Sequence, residues 1–269
     1  MRALAPWLTA AVAMLVVVTL PRLPLGSDDD SSWGAVLGYA HQKNLQFGTD
    51  LAFTYGPLGF VTTPYQCPQA AGLRLLADLS ISFVAAAGVC LLAWRSGRVW
   101  RWVVIGSFVL LAGNAEPRSE LLLNLGLVTW GLFCLVAQGR RAVAGAMVLA
   151  GLSAVAILAK ATFLFIAPLA VLLVAADFAL REKPRMALGL IAGFGGAVLL
   201  GWVLLGQAPG HLYSFVAQSL AFSAGYAGAM QAKGFATLTW TALGMVLLVL
   251  VVIGLCLAQW PGLRERHAR

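Results

Sequence analysis

Charge is what this sequence has least of. Of its 269 residues, 10% are Asp, Glu, Lys or Arg and 61% are hydrophobic, whereas a soluble domain carries roughly 25% charged residues. That deficit excludes water as the solvent for most of the surface. Cysteine is scarce as well: Cys67, Cys90, Cys134 and Cys256 have no metal-ligand spacing, and three of them lie inside apolar runs, which argues against a disulfide framework. There is no internal repeat and no low-complexity linker, so a single membrane domain over 1–269 is expected. The first apolar segment, Leu4 to Leu20, is followed by PRLPLGSDDD. No small-x-small cleavage site lies there, so a retained anchor is expected rather than a signal peptide.

What is present is a series of apolar runs near the roughly 20 residues that cross about 30 Å of hydrocarbon. The pattern predicts an all-α, polytopic helix bundle of about eight spans: 4–22, 75–94, 101–115, 121–137, 142–159, 161–179, 186–206 and 236–258. The apolar stretch from Ala142 to Leu180 is too long for one crossing at about 1.5 Å per residue. Lys160 interrupts it, and a mid-membrane lysine is costly, so two helices meeting at Lys160 are predicted.

The net charge of +8 reports orientation and needs no nucleic-acid partner. With a cytoplasmic N-terminus, twelve of the 18 basic residues fall on the inner side, at the termini and on short basic loops, as the positive-inside bias requires. Both termini are then cytoplasmic. Most acidic residues fall on the other side, with two long outer segments, 23–74 and 207–235. Loops on a rigid scaffold usually carry function, so candidate residues are sought there. The pair Gly189 and Gly193 in GLIAGFGG is expected to mark close helix packing rather than a nucleotide loop.

In the first outer segment, Asp30, Ser31 or Ser32 can cap a helix. Trp33, Val36, Leu37 and Ala40 recur at helical spacing as one apolar face. Gly34 and Gly38 weaken that helix, so it is expected to lie along the membrane surface or the bundle. The next stretch, FGTDLAFTYGPLGF, mixes aromatics with glycine and proline. Its aromatics read either as an interfacial belt or as the wall of a cleft. Its dense Gly/Pro punctuation favours the shaped loop. Arg74 and Asp78, four apart at the start of the second span, are expected to pair. His41 and His211 read as surface residues. Leu212, Phe215, Val216 and Leu220 predict a second interfacial helix, placed to close the cleft from its far side.

The run DDDSSWGAVLGYAHQKNLQFGTDLAFTYGPLGF resembles a set of bacterial multispanning proteins with an Asp-x-Ser-Trp start and an FG-x-D-x-x-FTYGPLGF ending to their first outer loop. These in turn look like the GT-C superfamily of membrane glycosyltransferases, which use polyprenyl-phosphate sugars. The close resemblance covers about forty residues; that to the superfamily is one of arrangement. It implies an essential acidic residue after helix one, at Asp28, Asp29 or Asp30, and a second acidic position at Glu116 or Glu120. GLSAVAILAKATFLFIAPL is similar to a Gly-Leu…Leu-x-Lys segment of these proteins, with Lys160 at an outer junction. Many members continue with further helices or an outer domain, whereas this sequence stops soon after its eighth predicted span.

The resemblance implies transfer of a sugar from a polyprenyl-phosphate donor at the outer face of a bacterial inner membrane. Asp28, Asp29 and Asp30 are the candidate catalytic bases, with Asp30 favoured because Ser31 and Ser32 open the amphipathic helix; a solvated, helix-capping turn is the plainer alternative. A divalent cation, Mg or Mn, is a candidate cofactor on Asp30, Glu116 and Glu120. Lys160 and Arg118 are candidate phosphate contacts, against a snorkelling lysine and an Arg118 paired locally with Glu116 or Glu120. Tyr55, Trp33 and Asp50 complete the candidate substrate-binding set. The expected partners are membrane lipid and the polyprenyl-phosphate sugar, with no nucleic acid and no protein partner specified. Two other functions fit the same composition: a transporter or flippase for a lipid-linked solute, and a non-catalytic assembly subunit.

Overall fold

In a computed structural model, the described residues are 4–18, 29–63, 65, 67–115 and 118–229. The chain divides into two compact units, Met1–Ser223 and Ala224–Arg269, and the architecture below is that of the first. Asp28, Glu116, Cys256 and the predicted span 236–258 lie outside the described residues. So do the side chains of Asp29 and Asp30, whose backbone begins a helix.

The described residues form α-helices with short 3-10 turns and two isolated β-bridges. In order they are α1 (Ala5–Val17), α2 (Asp29–Lys43), α3 (Ala71–Ala93), α4 (Arg98–Asn114), α5 (Arg118–Val136), α6 (Gly139–Ala159), α7 (Phe163–Leu180), α8 (Pro184–Leu204) and α9 (His211–Ala229). Five of them, α3 and α5 to α8, are long and apolar enough to cross a membrane, and each coincides with a predicted span. The predicted first and third spans are shorter. α1 has 13 residues and α4 has 17, or about 20 and 26 Å at the helical rise. The chain is an all-helical membrane protein, with five candidate spans among its described residues.

Neighbours in space are often two helices apart in the chain. α3 lies against α1 and α5, and α6 lies against α5, α7 and α8. The core is built from small and branched residues, such as Ala85, Ala86, Leu122, Leu149 and Ala156. The small residues let helices approach closely where lipid supplies no hydrophobic drive to associate. Gly126 shows this directly, since a Cβ there would meet the Leu152 side chain at 2.6 Å. Gly189 and Gly193 do not: nothing lies within 4 Å of a Cβ added at either. α8 is the most peripheral span, with Leu188, Leu200 and Leu204 exposed; its close approach to α6 is at Gly201, where a Cβ would meet the Leu158 side chain at 2.7 Å.

Antiparallel α5 and α6 place the start of one beside the end of the other. Glu120 and Lys160 therefore share one end of the bundle, here called the loop end. Arg95, Arg98, Arg140, Arg141 and Arg185 lie at the other, basic end. As predicted, α6 stops at Lys160, whose backbone is extended, and α7 restarts at Phe163.

Candidate functional site

A helix end leaves its last carbonyls without partners, and burying them requires new donors. At the end of α6 the donors come from the stretch TYGPLGF. The amide of Gly56 donates to Ala159 O at 3.1 Å and that of Leu58 to Leu158 O at 2.9 Å. In return, Ala161 N–H donates to Thr54 O at 2.7 Å, and Tyr55 pairs with Lys160 in an antiparallel bridge. The loop is thus a plug laid across the α6–α7 junction. Glycine is required at 56, because a Cβ there would collide with Leu158 O. Phe60 and Val61 then fill the centre of the loop end, at 1% and 0% exposure, and Ser119 Oγ donates to Val61 O at 2.9 Å.

Arg74 fixes the far side of the plug. Its Nε donates to Asp78 Oδ2 at 3.3 Å, confirming the predicted pair. Its remaining nitrogens donate to Phe60 O, to Thr63 O at 2.5 Å and to Tyr65 O at 3.0 Å. Both side chains are 1% exposed. One guanidinium thus binds loop carbonyls and a carboxylate together, which a bare i,i+4 reading does not anticipate.

Lys160 is placed differently. Its Nζ donates to Glu120 Oε1 at 2.5 Å, and both side chains remain 21% exposed. The ammonium lies 5.1 Å from the centre of the Tyr55 ring, within cation–π range. Burial acts to lower the Lys160 pKa, but the hydrogen bond and charge of Glu120, together with Tyr55, outweigh it and hold the ammonium above its ordinary value. Glu120 sits in the first turn of α5, where the helix dipole favours a carboxylate.

From Tyr55 an aromatic row runs outward. Phe53 packs on Tyr55 at 5.3 Å, and Trp33 of α2 meets Phe53 edge-on at 5.4 Å. Trp33, Val36 and Tyr39 form an exposed apolar stripe along α2, while Gly34, Leu37, Gly38 and Ala40 are buried. The predicted apolar face of α2 is therefore split. Trp33 and Val36 do not belong to its buried side, which is formed by Gly34, Leu37, Gly38 and Ala40. The loop aromatics divide similarly: Phe47 and Phe60 are core, and Phe53 and Tyr55 are half-buried.

The remaining candidates are structural in their contacts. Arg118 donates to Gly113 O at 2.6 Å and to Val18 O at 3.4 Å, tying α5 to the ends of α4 and α1. Of the two local partners considered for it, Glu120 is engaged by Lys160 instead, and Glu116 lies outside the described residues. Asp50 is exposed, and its Oδ2 accepts the Gln46 amide at 2.9 Å within a tight turn. No described contact joins it to Lys160. Among the described residues no three His, Cys, Asp or Glu gather as metal ligands, and a divalent cation on Glu120 would have to displace an ammonium. Cys67, Cys90 and Cys134 are buried thiols rather than disulfides.

α9 packs on the loop as its sequence suggested. Phe215 is buried between Phe47 and Trp202, and Gln218 donates to Gly48 O at 2.8 Å. A Cβ on Gly48, whose φ is +87°, would strike the Phe215 backbone. Leu220 departs from the expected face and is 39% exposed. Two glutamines not singled out in the sequence join the long segments. Gln207 accepts from Phe47 N–H at 2.8 Å and donates to Leu45 O at 3.1 Å. Gln46 accepts from Ala208 N–H at 2.7 Å and contacts His211 Nδ1 at 3.3 Å. Nothing in their local sequence marks them, since each acts across some 160 residues.

Fold and site together define a class: a helical membrane protein whose plugged loop end carries the partly exposed Lys160–Glu120 pair beside an aromatic row. No protein-family model, curated protein or solved structure matches the chain.

Proposed function

We propose that this chain is a GT-C-like, glycosyltransferase-type membrane protein that engages a polyprenyl-phosphate sugar at its loop end. One observation carries the reading: the Lys160 ammonium, partly exposed, held charged by a single carboxylate and flanked by Tyr55. A departing phosphate needs a cation at the membrane surface, and a polyprenyl chain and sugar ring need apolar and aromatic surface beside it. The row Tyr55, Phe53, Trp33 supplies that surface.

In the proposed reaction an acceptor hydroxyl attacks the anomeric carbon of the sugar. The bond from that carbon to the phosphate oxygen breaks, and the phosphate leaves with the electron pair. A carboxylate takes the hydroxyl proton; Asp28, Asp29 and Asp30 are assigned that role by resemblance. Lys160, turning from Glu120 to the phosphate, offsets the developing charge. No step is routed through a divalent cation. The proposed setting is the outer face of a bacterial inner membrane, with both termini cytoplasmic. Translocation is less well supported, because the described ionisable residues of the five spans lie within about two turns of helix ends rather than at mid-membrane.

The test is mass spectrometry of lipid-linked sugars and surface glycans. Cells with the wild-type protein, with none, with Lys160→Gln, and with Asp28, Asp29 and Asp30 all changed to Asn are matched for membrane abundance. Deletion and both variants should lose the same glycan modification. A deletion phenotype that both variants rescue fully would contradict the reading.

A further inference from the structure

At the basic end, α1, α3, α5 and α6 leave a cavity of about 370 Å³ between them. Its walls include Trp7, Trp94, Arg95, Phe133, Arg141 and Ala144, and among the described residues no carboxylate lines it. Arg95 Nη1 donates to Val136 O at 3.1 Å, which anchors the guanidinium at the end of α5. The rest of its fork of donors remains for another acceptor. Arg141 is exposed and has no described partner. Arg101 stacks on the Trp94 ring at 4.5 Å and adds a third positive charge beside the cavity. Glu120 and Lys160 are remote: from Arg141 to Lys160 the length of α6 is about 28 Å.

We propose that this cavity is a binding site for an anionic phospholipid. Arg95 and Arg141 hold its phosphodiester, and the apolar wall at Phe133 takes the first methylenes of an acyl chain. Trp7, in the first turn of α1, and Trp94, just past the end of α3, flank the site, and indoles are enriched at membrane interfaces. The volume falls in the range of ligand pockets, and basic pockets between spans suit acidic headgroups. A soluble phosphate would gain nothing from the apolar wall, so the lipid is the better fit. The site is independent of the loop-end chemistry and does not rest on the proposed transferase activity.

The test is native mass spectrometry of the full chain in detergent, with equal phosphatidylglycerol and phosphatidylcholine added. Wild type should retain phosphatidylglycerol in preference. Each of Arg95→Gln and Arg141→Gln should lower that preference about five-fold, and the double variant about thirty-fold. Arg140→Gln, on the same rim but outside the cavity, should leave it unchanged. Ala144→Phe keeps every charge and fills the cavity, so it should reduce retention without removing an arginine. Wild-type preference in the double variant would overturn the proposal. So would displacement of the lipid by excess glycerol 3-phosphate, which would mark an anion site open to water.

Discussion

Two of the buried or half-buried cations at the loop end, Arg74 and Lys160, differ in their surroundings. Arg74 is saturated: one carboxylate and three loop carbonyls surround it, and 1% of it is exposed. Lys160 has one carboxylate, one ring and an open side, with 21% exposed. A planar fork suits the first role, because several fixed acceptors can be met at once. A flexible ammonium suits the second, because it can exchange one partner for another. Saturation holds the plug in place, and incompleteness leaves Lys160 able to meet a ligand.

The comparison breaks most severely at Arg74. Arg74→Met strands the Asp78 carboxylate and releases the loop carbonyls, and losing one partner of a buried pair costs about 3–5 kcal/mol. Membrane abundance and the unfolding midpoint in detergent should both fall sharply. Gly56→Ala comes next. It drives a Cβ into Leu158 O, an overpacking of about 1–3 kcal/mol, read as a lower midpoint and faster proteolysis within residues 50–63. Lys160→Gln should cost at most about 1 kcal/mol of stability, as partly exposed pairs do.

The smallest effect is in pH. The Lys160 pKa is raised above its ordinary value of 10.5, so its contribution is complete below that value and is lost as pH rises through the higher folded value. The difference in midpoint between wild type and Lys160→Met should therefore stay constant to about pH 10 and shrink above it. A difference that shrinks between about pH 6 and 8 would contradict the placement of the charge.

Much of this fold was legible because lipid imposes a simple rule, that a helix must be apolar along its length. Of the six spans predicted over residues 71–206, five coincide within a few residues with helices long and apolar enough to cross a membrane, and Lys160 marked the break between two of them. The Arg74–Asp78 pair followed from helical spacing alone. Three features did not follow. The buried face of α2 includes Gly34 and Gly38, which carry no hydrophobic signal. The Gly189 and Gly193 spacing matched a packing motif, yet a cavity separates both from α6 and nothing lies within 4 Å of a Cβ added at either. The Glu120–Lys160 pair joins residues that each suggested a ligand separately, and only the antiparallel pairing of α5 and α6 brings them together. A turn such as that held by Asp50 is satisfied locally, whereas Gln46 and Gln207 act over distances that no local pattern encodes.

The most direct measurement is retention of polyprenyl phosphate by purified wild type, Lys160→Gln and Asp50→Asn proteins in native mass spectrometry, with unfolding midpoints taken on the same samples. The account predicts that wild type and Asp50→Asn retain the lipid alike. Lys160→Gln should lose about ten-fold or more, the scale of one charge-assisted hydrogen bond, at a nearly unchanged midpoint. Equal retention by Lys160→Gln and wild type would contradict the claim that this ammonium is the open cation of a binding site.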